Sequence, residues 1–190
     1  MEFKKMIKYV ENHKESHFEG VLNKNEKNVI KRDDNLIFNR SKQEETQMIY
    51  EILNDYEIRR YKPKREKSAL IRVLEPEYKK YGVPYEVKYL ESFSSVIELY
   101  FHDIREIMPN NERFVLFNEE MAKEVIQFID EGDFDEIVVH CNAGQSRSAG
   151  IMYGISLLLK DVQLQEDITL DSFYMPNPVV IHFIRQALEQ

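Results

Sequence analysis

The chain of 190 residues is 43% hydrophobic and 32% charged, with a single cysteine and a net charge of −8. Its length fits one domain with a sizeable core and room for an appendage, and one cysteine excludes an intramolecular disulfide and fits a reducing, cytoplasmic setting. No apolar run approaches the ~20 residues of a membrane span, and a net −9 over residues 64–190, against +1 over 1–63, disfavours nucleic acid and multiply phosphorylated partners unless a local basic pocket compensates.

From the N-terminus, Met1–Val10 reads as a short amphipathic helix with Phe3, Met6, Ile7 and Val10 on one face, too charged for a secretory signal. Phe18–Leu22 and Leu36–Phe38 read as short strands around an Asn- and Lys-rich turn. Ser41 and Glu44 have capping-box spacing, and Met48, Ile49, Ile52, Leu53 and Tyr56 make a stripe expected of a helix. Residues 1–65 are therefore expected to be an N-terminal extension packed on a domain formed by 66–190. A partner-docking or substrate-presenting segment is the alternative.

Beyond residue 66 the elements are clearer. Ser68–Leu74 is a strand stopped by Glu75-Pro76, and Val96–Phe101 is a second. Asn118 caps a helix carrying Met121, Val125, Phe128 and Ile129 at helical spacing and ending near Gly132. Glu136–Val139 reads as a buried strand and Ala149–Leu159 as a buried helix. Asn177-Pro178 opens a last helix with Val180, Ile181, Ile184, Ala187 and Leu188 on one face. Strands alternating with helices predict an α/β fold, a central parallel or mostly parallel sheet flanked by helices, with ligands at the carboxyl ends of its strands.

The most informative stretch joins the last strand to its helix: His140-Cys141-Asn142-Ala143-Gly144-Gln145-Ser146-Arg147-Ser148. Such a loop aims successive backbone N–H groups into one concavity, and the helix N-terminus adds partial positive charge, so residues 142–147 can cradle a phosphate dianion. Positive surroundings of this kind favour thiolate over thiol, which makes Cys141 a candidate nucleophile. Arg147 offers a planar fork for two phosphate oxygens, which a lysine would not. Gly144 lets the loop curl tightly. Ser148 can donate its hydroxyl to the sulfur, and His140 is expected to order the loop by hydrogen bonding. The five histidines are scattered and no metal-ligand spacing occurs, so neither metal nor cofactor is expected. A buried structural thiol beside a helix cap is the bland alternative.

This His-Cys-x5-Arg-Ser pattern resembles that of the cysteine-based protein tyrosine and dual-specificity phosphatases, over about residues 66–190. The resemblance implies phosphomonoester hydrolysis through a phosphocysteine on Cys141, with a carboxylic acid from an upstream loop. It departs from the large tyrosine-specific class, since the chain has no tryptophan, no Trp-Pro-Asp and no Asn-Arg-Tyr clamp. It looks more like the compact dual-specificity branch. Two alternatives remain: a phospho-recognition module that does not turn over, and a rhodanese-like sulfur carrier.

For the acid, Asp103 is the best match, because it follows the strand ending at Phe101 and should emerge at the same edge as Cys141. Asp133 and Asp135 precede their strand and should lie at its opposite end. His102 reads as a loop-packing residue, and Asn177 as a helix cap or a group that positions water. Arg147 is the only cation inside the loop, which favours a phosphorylated protein, above all phosphotyrosine, or another monophosphate over an inositol polyphosphate or RNA triphosphate.

Overall fold

The computed structural model describes residues 47–107 and 112–190. Four strands, β1 (Ile49–Leu53), β2 (Ser68–Leu74), β3 (Ser95–Tyr100) and β4 (Glu136–His140), form one sheet in the order β1-β4-β2-β3, with every pairing parallel. The α/β reading is thus correct. The central strands β2 and β4 are buried at every position, which is why they read as continuous apolar runs, without alternation.

The helices are α1 (Asp55–Ile58), α2 (Tyr78–Tyr81), α3 (Glu119–Asp130), α4 (Arg147–Leu158), α5 (Val162–Leu170) and α6 (Pro178–Leu188), with a 3₁₀ turn at Leu90–Ser92. Ile71, Val73, Ile137 and Val139 join one core with residues of α3, α4, α5 and α6. Their strand neighbours Leu70 and Val138 join a second core with Leu53, Ile58 and Phe93. Both sheet faces are therefore covered. Asn118 caps α3 by accepting from Met121 N at 3.0 Å, and Asn177 caps α6 with Pro178 in its first turn, both as the sequence indicates.

One element is corrected. Met48 to Tyr56 is not one helix: Ile49–Leu53 pairs with Glu136–His140 as an edge strand, and only Tyr56 of the stripe falls in the one-turn α1, which Asn54 caps through a capping box with Glu57. Its apolar residues sit at positions compatible with either period over so short a run, and the β-branched Ile49 and Ile52 favour the strand. The extension expected over 1–65 thus contributes a strand to the sheet. The readings for Met1–Val10, Phe18–Leu22, Leu36–Phe38 and Ser41–Glu44 lie outside the described residues. Helix α5 was not foreseen, since Val162–Leu170 mixes polar and apolar residues without a clear stripe.

The chain from α1 to β2 is held by a buried carboxylate. Glu136, the first residue of β4, accepts from Tyr61 Oη at 2.5 Å and from the backbone N–H groups of Lys64 and Arg65 at 2.7 and 2.9 Å. Three donors compensate a charge that would otherwise be costly in the interior.

Candidate active site

Strand β4 delivers Cys141 to the carboxyl edge of the sheet, and α4 begins six residues later at Arg147. The loop between them leans on the end of β1: Cys141 N–H donates to Leu53 O at 3.2 Å, and Asp55 N–H donates to Asn142 O at 3.2 Å. Gly144 makes the turn at φ +71°, and a Cβ there would sit 3.0 Å from Asn54 N and 3.1 Å from Leu53 C. Glycine is required at this position on both counts. Asn142 and Ala143 are exposed, whereas Gly144, Ser146, Arg147 and Ser148 are buried and Gln145 is half-buried.

The sulfur lies on the floor of the loop, with Cys141 only 2% exposed. Gly144 N–H approaches Sγ at 3.3 Å, and Ser148 Oγ lies 3.1 Å away. Arg147 is fixed from below: Nη1 donates to Phe101 O at 2.9 Å and Nη2 pairs with Glu75 at 2.6 Å. Its Nε–H is buried and has no hydrogen-bond partner. A buried guanidinium N–H without an acceptor is costly in an empty protein and satisfied by an anion. The α4 N-terminus is likewise uncapped by the side chain of Ser146, whose hydroxyl is engaged elsewhere.

That engagement brings in Asp103. Ser146 Oγ donates to Asp103 Oδ1 at 2.7 Å, and Asn177 Nδ2 donates to the same oxygen at 2.8 Å. Asn177 also caps α6 through its Oδ1, so the two readings for it are not exclusive. Asp133 pairs with Lys67 at the start of β2, and Asp135 N–H bonds Lys67 O, both at the far edge of the sheet. His102 packs its loop by accepting from Val115 N–H at 2.9 Å.

His140 departs from expectation. It is fully buried, and neither ring nitrogen has a hydrogen-bond partner; Nδ1 lies 3.7 Å from Asp55 Oδ1. Burial holds the imidazole below its usual pKa, so it is neutral at pH 7. Its backbone pairs with Leu53 and Arg72 in the sheet, and its ring makes no hydrogen bond to the loop.

Two residues escaped the sequence reading. Arg105 Nη1 reaches Ser146 Oγ at 3.1 Å and Met175 O at 2.7 Å, and so ties the segment after β3 to the loop and to the segment before α6. Glu75, read only as a strand stop, is the carboxylate that positions Arg147. Neither lies in a motif, and only the topology brings them there.

The fold thus places a cysteine-bearing loop, running from a strand into a helix N-terminus, at the carboxyl edge of a parallel sheet. No family model and no curated protein matches the chain. Among solved structures it is similar to Tk-PTP in the active form, at 15% identity over 66% of this chain and 81% of that one, TM-score 0.41. It is similar to the human tyrosine phosphatase-like serine/threonine/tyrosine-interacting protein at 16% identity, 65% and 78% coverage and TM-score 0.42. It is also similar to PTPMT1 in complex with PI(5)P at 13% identity, 76% and 95% coverage and TM-score 0.46. Among the described residues, no helix is long and apolar enough to cross a membrane.

Proposed function

We propose that the protein hydrolyses phosphomonoesters through a phosphocysteine intermediate, with phosphotyrosine on a protein as the leading substrate class. The observation that carries this reading is the buried, unpartnered Nε–H of Arg147 in the loop whose floor is the sulfur of Cys141. Arg147 and the loop N–H groups hold the phosphoryl oxygens. The Cys141 thiolate attacks phosphorus, the P–O bond to the leaving group breaks, and Asp103 gives its proton to the departing oxygen. Asp103, now a carboxylate, takes a proton from water as that water attacks phosphorus. The S–P bond breaks, and Ser148 stabilises the sulfur anion as it leaves.

This role is supported by the contacts of Asp103: Oδ1 accepts from both Ser146 and Asn177, which leaves Oδ2 as the oxygen to carry the transferred proton. The purified chain should turn over para-nitrophenyl phosphate in the presence of a chelator, and Cys141→Ser should abolish turnover while leaving phosphate binding intact. Turnover that survives Cys141→Ser, or that stops on chelation, overturns the mechanism. Sulfur transfer from thiosulfate without phosphatase activity would favour the sulfur-carrier alternative instead.

A further inference from the structure

On the face of the sheet opposite α4, four cations converge in a cleft of about 750 Å³: Arg59, Arg60, Arg72 and Lys88. None of the four belongs to the loop chemistry. Arg59 stacks 4.5 Å over the ring of Tyr85, and Lys88 N–H donates to Arg59 O at 3.0 Å, so α1 and the segment before the 3₁₀ turn form one wall. Arg72 is 5% exposed and pairs with Glu98 through Nη1, while its buried Nε–H has no hydrogen-bond partner. Among the described residues no carboxylate comes within ion-pair distance of Arg59, Arg60 or Lys88, although Asp55 attracts Arg59 through space and Glu86 and Glu91 also line the cleft.

These cations stand in a region whose net charge is −9 over residues 47–190. It also adjoins the phosphate loop. Asp55 N–H holds Asn142 O, and Arg59 lies four residues further on, roughly 6 Å at helical rise. An extended peptide advances about 3.3 Å per residue, so a side chain two or three residues from a phosphotyrosine in the loop reaches the cleft.

We infer that this cleft is a second substrate subsite, which recognises acidic side chains flanking the phosphorylated residue of a peptide. The inference rests on the phosphatase reading for the occupant of the loop. The cations are spread along the cleft and interleaved with Glu86 and Glu91, an arrangement suited to separate single carboxylates. A dense polyanion such as an inositol polyphosphate would meet those two glutamates at close range.

Binding to the full chain carrying Cys141→Ser tests the inference by fluorescence anisotropy, with two phosphotyrosine peptides that differ only in Glu or Ala at the two positions on either side. The acidic peptide should bind about three- to tenfold tighter, as expected for two exposed ion pairs, and added salt should erase the difference. Arg59→Gln with Lys88→Gln should bring the two peptides to within about twofold. Glu91→Gln should widen the preference, and it remains informative if the double variant fails to fold by circular dichroism. Equal binding by the parent protein, a preference that survives the double variant, or stronger displacement by inositol trisphosphate than by the acidic peptide would each overturn the subsite. Para-nitrophenyl phosphate turnover, measured beside it with Cys141 intact, separates the two readings. Turnover without an acidic preference removes the subsite alone, and an acidic preference without turnover removes hydrolysis alone.

Discussion

The hydroxyl of Ser146 donates to Asp103 Oδ1 across 2.7 Å, so the loop between Cys141 and Arg147 also holds the carboxyl group proposed to protonate the leaving group. Asp103→Asn should lower kcat by roughly 10²–10⁴-fold with little change in KM, because that proton matters only in the transition state. The loss should be larger for alkyl than for nitrophenyl esters, and the basic limb of the pH–rate profile should flatten. Ser146→Ala should show the same pattern more weakly. If Asp133→Asn behaves this way and Asp103→Asn does not, the assignment is wrong.

Ser148 Oγ lies 3.1 Å from the sulfur of Cys141, and its proposed role is to stabilise that sulfur as it leaves. Ser148→Ala should therefore slow breakdown of the intermediate more than its formation, by about 10–100-fold for a lost hydrogen bond to a charged group. Rapid mixing with para-nitrophenyl phosphate should show a burst equal to the enzyme concentration, followed by a slow steady state. A variant that loses its burst and its steady state together would contradict this role.

Gly144 combines φ +71° with a near contact to the backbone of Asn54. Gly144→Ala should destabilise the chain by about 1–2 kcal/mol from the left-handed backbone alone, and more from displacing the end of β1. Thermal unfolding monitored by circular dichroism should shift down while the spectrum of the folded protein is unchanged. Turnover should fall at least tenfold, because the loop would no longer close on its anion.

Acid should weaken the fold through His140. Burial depresses its native pKa below the usual 6.5, so the unfolded chain takes up the proton first as pH falls, and stability drops by up to about 1.4 kcal/mol per pH unit in that window. Asp55 acts at lower pH. Burial alone would raise its carboxyl, but the neighbouring His140 and the hydroxyl of Tyr85 outweigh that and hold it below the usual value. Its contribution is present above the unfolded pKa and is lost as pH falls through the native one. Urea midpoints at pH 7.5 and 5.5 should differ, and His140→Gln should shrink the difference.

What the sequence disclosed follows from chemistry that is local in the chain. Cys141, Gly144, Arg147 and Ser148 occupy one loop whose spacing speaks for itself, and Asn118 and Asn177 cap helices by contacts within three residues. Asp103 was reachable because a parallel sheet sends all its strand ends to one edge. Glu75, Arg105 and the cations around Arg72 were not, because their meaning depends on neighbours 41 to 72 positions away or on another element altogether. The strand at Ile49–Leu53 was misread because five residues are too few to distinguish the two periods.

The support of the Cys141 loop by Leu53 and Asp55 has a consequence for the order in which the molecule assembles. The nucleophile follows its brace by almost ninety positions in the chain, and parallel pairing cannot form until that long loop has closed. Catalytic competence should thus emerge late in folding, after β2, β3 and β4 have joined. Fraying of the edge strand should silence the proposed activity while most of the core persists. In denaturant, activity would then vanish ahead of the global transition, and amide exchange would find Cys141 N–H among the earlier protons to open.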